Sequence, residues 1–284
     1  MNFVGAAAFG GTVGDVLDTF LFVPPPITVT RPVIALPDLP ESWDGVRIAQ
    51  LTDLHHGRLT GLDFIRRVIE MANDEKPDLI ALTGDFVSSD RGLCEEVFQA
   101  LWKLRARCGV YAVLGNHDHW SCPLTIRRLL TTGGIKVFDN SHVILRRGRD
   151  RLAIAGVGDL WSDVQDLPRT LGGVPESIPR VLLCHNPRYA KEMPPQPRVD
   201  LMLSGHTHGL SFRFPFRRRR PQISVTRRGR YVSGLIQAPH CQLYVSCGLG
   251  RVGLPTRFSS RRELTVITLR RKTSDPHLAA ALPA

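Results

Sequence analysis

No Cys-x-x-Cys pair occurs in the 284 residues, and the six cysteines, Cys94, Cys108, Cys122, Cys184, Cys241 and Cys247, are scattered. A chain of this length needs no disulfide framework, so the cysteines read as small core residues and favour a reducing compartment. Also missing are a Gly/Ser-rich linker and any repeat with a period of roughly 20 to 50 residues, which excludes a solenoid and leaves a single globular fold as the expectation. Long uncharged apolar runs are lacking too. The stretch from Met1 to Val23 is rich in Ala, Gly and Val, but Asp15 and Asp18 interrupt it and no basic residue precedes it. It reads as neither a membrane span nor a standard signal peptide, and Pro24, Pro25 and Pro26 stop any helix behind it.

The most informative absence is of negative charge. Between Asp200 and Glu263 there is no acidic residue, while twelve arginines fall there, among them Arg213, Arg217, Arg218, Arg219, Arg220, Arg227, Arg228 and Arg230. Much of the formal charge of +11 is concentrated in this block. Such a block attracts anions, whether nucleic acid, an acidic membrane or a phosphorylated substrate, and its plain alternative is a solvated basic loop.

What is present is enough apolar material, 43% of the residues against 22% charged, to bury a large core. From Gly45 an apolar run ends at Asp53, a helical pattern follows from about Leu62 to Asn73, and DLIALTGD then reads as a strand. A second helical stretch from Cys94 to Leu104 leads into VYAVLGNHD, and Pro123 opens a helix that ends near Gly133 and Gly134. Beyond it, short apolar runs at VILRR, LAIAGVG, VLLCHNP, DLMLSGHTHG, LYVSCGLG and LTVITLR are separated by turns and Pro-rich loops. Alternating β and α followed by mostly strands predicts an α/β fold: two layers of sheet, each flanked by helices on its outer face. The expected division is an N-terminal segment with a leading strand over 1–44, a domain over 45–272 and a tail over 273–284.

Polar residues stand just beyond five of these apolar strands. Asp53 and His55 follow VRIAQLT, Asp85 follows LIALTG, Asn116 and His117 follow YAVLG, His185 follows VLLC, and His206 and His208 follow LMLSG. Ligands of α/β sheets bind in the crevice outside the carboxyl ends of the strands, so five strand ends can converge on one site. Carboxylates with imidazoles suit a divalent ion such as Mn, Fe or Zn, and this set exceeds one ion's needs. Two ions about 3.5 to 4 Å apart are the arrangement used for in-line displacement at phosphorus.

The segments DLHHG, GDF, GNHDH, CHNP and GHTHG, in that order, resemble the five motifs of the calcineurin-like metallophosphoesterases over roughly Val46 to Gly209. The resemblance implies a four-layer αββα sandwich of two mixed sheets. It implies that Asp53, His55, Asp85 and His208 bind one metal, that Asp85, Asn116, His185 and His206 bind the other, and that His117 is catalytic. LPDLPESWDGVRIAQLTDLHHG and LYVSCGLGRVGLPTRF are further similar to the YkuE and YaeI branch of bacterial phosphodiesterases, itself similar to UDP-2,3-diacylglucosamine pyrophosphatases of lipid A synthesis. Members of that branch often carry a twin-arginine leader or a membrane anchor; this chain has no twin arginine in its N-terminal stretch, and Leu210 stands where a glycine is usual.

The expected activity is therefore hydrolysis of a phosphodiester or pyrophosphate bond with two divalent ions, the phosphate ester being lipid-linked or soluble. Arg217, Arg218, Arg219 and Arg220 are the candidate substrate-binding residues. His56 and His119 neighbour the site. Phe212, Phe214 and Phe216 alternate with arginines and suggest either a hairpin at an anionic membrane or a loop closing over the site. The expected location is cytoplasmic or peripheral at the inner membrane. The competing reading is a basic nucleic-acid-binding module with a non-catalytic metal site, which the complete ligand set disfavours.

Overall fold

In the first sheet, alternate residues of each strand face opposite ways, and both faces are apolar. Ile48, Leu79 and Ala81 turn inward to one buried cluster while Ala49, Ile80 and Leu82 join another on the opposite face. A strand apolar on both sides must be covered on both sides, and this decides the layering. The computed structural model of the chain describes residues 26–88, 95–209, 211–212, 223–224, 231–251 and 261–272.

The first sheet has seven strands: β1 (Ile27–Thr30), β2 (Val33–Leu36), β3 (Arg47–Leu51), β4 (Leu79–Leu82), β5 (Val110–Ala112), β6 (Lys136–Val137) and β15 (Arg262–Arg271). Its order is β1-β15-β3-β4-β5-β6, with β2 also paired to β15. Strands β3 to β6 run parallel and β15 antiparallel to β3, so the sheet is mixed. The second sheet has six: β7 (Ser141–Arg147), β8 (Asp150–Gly156), β9 (Arg180–Leu183), β10 (Leu201–Ser204), β13 (Gly234–Gln237) and β14 (Gln242–Val245), ordered β13-β14-β10-β9-β8-β7. Here β8, β9, β10 and β14 are parallel, and the antiparallel strands β7 and β13 close the two edges. Two further short strands, β11 (Ser211–Phe212) and β12 (Ile223–Ser224), pair antiparallel.

Between the sheets lies a shared core in which Ile48, Leu79 and Ile267 of the first meet Ile154, Val181, Leu183 and Leu203 of the second. The outer face of the first sheet is covered by α1 (Leu62–Asp74), α2 (Glu95–Leu101) and α4 (Pro123–Thr132). Helix α1 buries Ile65, Val68, Ile69 and Ala72, the three- and four-residue spacing of one helical face. The second sheet's outer face is covered by α5 (Leu167–Leu171) and α6 (Tyr189–Glu192). A short α3 (Asn116–Trp120) follows β5. Two mixed sheets flanked by helices are thus what the sequence pattern predicts.

The helix expected over Cys94 to Leu104 is shorter. It closes at Leu101, and Lys103 and Leu104 continue as a turn donating to the carbonyls of Ala100 and Leu101. The cysteines are not uniformly core residues: Cys184 and Cys241 are buried, but Cys122 is exposed before α4, and Cys94 lies outside the described residues. No helix among the described residues is long and apolar enough to cross a membrane.

Candidate metal centre

The parallel strands β3, β4, β5, β9 and β10 end side by side, and the residues immediately after them converge from both sheets. Buried Gln50 of β3 ties the sheets together there, donating to Thr83 Oγ1 at 3.1 Å and to the Ser204 carbonyl at 2.9 Å. Asp53, His55, Asp85, Asn116 and His185 are buried, while His206 and His208 are partly open to solvent. All seven of the candidate ligands read from the sequence are therefore in one place.

Their polar atoms form two groups that meet at Asp85. In one, His55 Nε2 and His208 Nε2 face each other at 3.0 Å, with Asp53 Oδ1 3.7 Å from the first and 3.3 Å from the second. In the other, His206 Nδ1 lies 3.0 Å from Asn116 Oδ1 and 3.1 Å from His185 Nε2. Asp85 Oδ2 stands between the two, 3.4 Å from His55 Nε2 and 3.2 Å from His185 Nε2.

The backbone reaches this arrangement through conformations that side-chain-bearing residues rarely adopt. Asp53, His55, Asp85, His206 and His208 have φ of 53°, 45°, 57°, 69° and 52°. Left-handed non-glycine residues are uncommon and cost of order 1–3 kcal/mol each, and such strain gathers at functional sites. It is held by hydrogen bonds. Asp53 N donates to Gly84 O and His55 N to Asp85 O, each at 2.9 Å. Buried Asp118 accepts from Asp85 N at 2.8 Å and Gly115 N at 2.9 Å with Oδ2, and from Phe86 N at 2.8 Å with Oδ1. Two loops from different strands are so fixed by one carboxylate.

Close approach also requires glycine. A Cβ on Gly115 would stand 2.2 Å from Asp85 Oδ1, and one on Gly205 would stand 2.2 Å from Asp53 Oδ2.

Electrostatics follow from burying acids among imidazoles. Burial works to raise the Asp53 and Asp85 carboxyls, but the neighbouring histidines, His208 and His55 around Asp53 and His185 and His55 around Asp85, outweigh it and hold both well below the usual range. Burial works to lower His185, and the Asp85 carboxylate outweighs it, raising the ring well above its ordinary value. Burial, with the charge on His185, lowers His206 to about 4. Burial likewise lowers His117, and burial with the Asp85 charge pushes Asp118 up to about 7.

The donor set fits divalent cations. Two imidazole nitrogens facing each other at 3.0 Å either share one ring's N–H or turn both lone pairs to a metal ion, and the carboxylates of Asp53 and Asp85 beside them suit the cation. His185 Nδ1 lies 2.7 Å from the Thr83 carbonyl and donates to it, which points Nε2 into the site, the outer-shell contact typical of a metal-binding histidine.

His117 sits at the edge of the cluster, its ring 4.8 Å from that of His55, and its backbone N–H donates to Asp85 Oδ1 at 2.9 Å. Its Nδ1 is buried and has no hydrogen-bond partner among the described residues. His56 is buried, and its backbone forms an isolated parallel bridge with Val87. His119 Nε2 lies 3.6 Å from Asp163 Oδ2. Arg217, Arg218, Arg219 and Arg220, with Phe214 and Phe216, lie outside the described residues.

A sixth strand end contributes as well. After β8 comes Asp159, buried, whose Oδ2 accepts from Trp161 N at 2.9 Å, and Trp161 sets its ring 4.3 Å from that of His206. Residues Val157, Gly158 and Asp159 repeat the signal of a Gly-Asp pair just beyond an apolar strand, LAIAG, which could have revealed them.

The sequence pattern of the calcineurin-like phosphoesterase family matches residues 46–210, the span that contains all seven candidate ligands. The chain belongs to that family. It is 34% identical over 248 residues to the metallophosphoesterase YkuE of Bacillus subtilis (strain 168), covering 86% of each chain. It is 33% identical over 231 residues to the phosphodiesterase YaeI of Escherichia coli (strain K12), covering 78% of this chain and 82% of that one. A Danio rerio transmembrane protein with a metallophosphoesterase domain is 31% identical over 250 residues; the match covers 84% of this chain and 56% of that protein, so the chain spans little more than half of that relative. The family is one of metal-dependent phosphohydrolases with dinuclear centres, and the chain groups candidate ligands for such a centre.

Proposed function

We propose that the chain hydrolyses a phosphodiester or pyrophosphate bond, with one ion held by Asp53, His55, Asp85 and His208 and the other by Asp85, Asn116, His185 and His206. The observation that carries this reading is the place of Asp85 Oδ2, within 3.4 Å of a nitrogen from each group. A relative of similar length that bears the name phosphodiesterase supports the substrate class.

When bound, a pair of divalent ions such as Mn, Fe or Zn neutralises charge on the phosphoryl oxygens and activates water near neutral pH. The chain's own groups then orient and transfer protons. Asp118 fixes the loop of Asp85 against that of Asn116, so the two halves of the site keep their spacing. His117 is left to the substrate, where it hydrogen-bonds the phosphoryl group or protonates the departing oxygen. Burial lowers its pKa, which disfavours the doubly protonated ring.

Purified, metal-loaded protein offered bis-p-nitrophenyl phosphate, p-nitrophenyl phosphate and a UDP-linked acylated sugar tests the reading. The diester or the pyrophosphate should be cleaved fastest; preference for the monoester, or no turnover of any, overturns it.

The finer reading is a lipid-linked phosphate ester met at an anionic surface, supported by twelve arginines without an acid in the sequence that flanks His206 and His208. Each arginine near such a surface contributes about 1 kcal/mol. Replacing Arg217, Arg218, Arg219 and Arg220 with serine should release the protein from anionic vesicles in a sedimentation assay and slow turnover of the acylated sugar. Unchanged sedimentation and turnover would leave the block as a solvated loop. Binding to DNA that falls steeply with salt would favour a nucleic-acid substrate instead.

A further inference from the structure

Among the described residues eight large apolar side chains are more than a third exposed, and four of them fall on two short segments. Trp120 is 56% exposed, Leu124 81%, Trp161 51% and Val164 68%, and of these Trp120 and Trp161 touch histidines of the candidate centre. One segment is the end of α3 and the start of α4; the other is the turn after β8.

The two segments are joined at the site. His119, next to Trp120, meets Asp163, two residues after Trp161, at 3.6 Å. The Trp120 ring lies 4.8 Å from that of His117, and the Trp161 ring 4.3 Å from that of His206. Both tryptophans therefore stand against imidazoles of the candidate centre while presenting much of their surface to solvent.

The turn that carries Trp161 is held firmly. Asp159 Oδ2 accepts from Trp161 N at 2.9 Å, Gln165 Nε2 donates to Asp159 O at 2.7 Å, and Asn140 Nδ2 donates to Val164 O at 3.0 Å. A Cβ on Gly158 would stand 2.3 Å from Val164 O, so the turn is packed on itself. An indole fixed this way is a preformed surface.

A phosphate held by cations and imidazoles needs no apolar wall; the organic group esterified to it does. We propose that Trp120 and Trp161, with Leu124 and Val164 flanking them, form a specificity subsite for an apolar alkyl, acyl or aryl substituent of the phosphoester, a proposal that rests on the phosphoesterase reading above. Both flat aryl groups and methylene chains bury area against indole faces, so the shared chemistry is apolar. The subsite discriminates by the substituent's size: each fully buried methylene strengthens binding about three- to fourfold.

The test uses the full metal-loaded chain and p-nitrophenyl phosphodiesters that share a leaving group and differ in the other ester, methyl, hexyl or phenyl. The wild-type chain should show a KM at least about tenfold lower for hexyl than for methyl with little change in kcat, and the phenyl ester tells whether the walls favour a ring over a chain. In the Trp120→Ala, Trp161→Ala double variant this preference should collapse, while Trp120→Phe, Trp161→Phe should largely restore it. Val33→Ser, exposed on β2, should keep it. Calorimetric titration with the inert hexyl and methyl methylphosphonates reads the same preference without turnover. If the wild-type chain binds the hexyl compound more tightly yet hydrolyses no ester, the subsite stands and the phosphoesterase reading falls. Equal losses on methyl and hexyl esters with loss of metal would show that the rings only support His117 and His206 and would overturn the subsite. So would an unchanged preference in a double variant that no longer sediments with phosphatidylglycerol vesicles, since the apolar rim would then serve a membrane.

Discussion

His55 and His208 present Nε2 to Nε2 at 3.0 Å with their rings stacked, centroids 4.9 Å apart and 27° from parallel. Across that gap either one ring donates its Nε2–H to the other or both lone pairs turn to a cation, and the Asp53 carboxylate beside both nitrogens suits the cation. Chelation should therefore abolish activity and lower the melting temperature together, and Mn, Fe or Zn should restore both. Elemental analysis should find close to two ions per chain. A fully active chelated sample, or a reproducible single ion, contradicts the shared role of Asp85.

The same geometry separates ligand from proton carrier. Asp85→Asn should lose metal and activity at once, because its carboxylate lies between both groups of donors. His117→Gln should retain metal and lose roughly 10² to 10⁴-fold in kcat, the usual size of a general acid or base effect. Metal content and rate measured on both variants check the assignment: metal loss from the His117 variant, or full activity in it, would refute the role.

Gly205→Ala probes how closely the backbone must approach Asp53. The added methyl would stand 2.1 Å from Thr52 Oγ1 and 2.2 Å from Asp53 Oδ2, and Asp53 is further fixed by accepting from His206 N at 3.0 Å. Relief requires Asp53 or its loop to move, at a cost of about 1–3 kcal/mol typical of overpacking. Denaturant unfolding should register that loss and metal titration a weaker site. A variant with wild-type values in both would show that the crevice has slack.

The sheets and the convergence of the seven candidate residues are legible because each rests on a local regularity: apolar runs of strand length followed closely by Asp, Asn or His. What was not legible depends on contacts between distant residues. Asp118 sits in GNHDH like any helix-turn acid, and nothing local says that its carboxylate reaches back to the amides of Asp85 and Phe86, more than 30 residues earlier. The left-handed backbone of Asp53, His55, Asp85, His206 and His208 is equally invisible, since neither Asp nor His demands it. Trp161 went unread because an exposed aromatic in a loop has no period. The helical pattern runs on past the end of α2 because Leu104 keeps the buried face of the helix after the helical hydrogen bonds have ended.

Glu263 of β15 gives a prediction about pH. Its Oε1 accepts from Thr30 Oγ1 at 2.6 Å and Tyr244 Oη at 2.7 Å, and its Oε2 accepts from Cys247 N at 2.8 Å. One carboxylate thus joins β1 and β15 of the first sheet to β14 of the second. Burial works to raise its pKa, but these donors outweigh burial and leave it below the ordinary value of 4.5. Burial and the charge of Glu263 raise Tyr244, so the phenol stays protonated as a donor. With the folded pKa depressed, the unfolded chain binds the proton first as pH falls. The stability from Glu263 is therefore fully present above about pH 4.5 and is lost as pH falls from there through the folded value. Glu263→Gln removes the charge but keeps the shape, leaving donors poorly matched, at a cost of roughly 1–3 kcal/mol near neutrality. Urea unfolding of both proteins in chelator, so that protons do not compete with metal, should show a gap between them that is widest at pH 6 to 7 (about two units above the carboxylate range) and narrows below pH 4.5. A gap that stays constant to the acid limit would mean that Glu263 is held protonated and joins the sheets as a neutral acid.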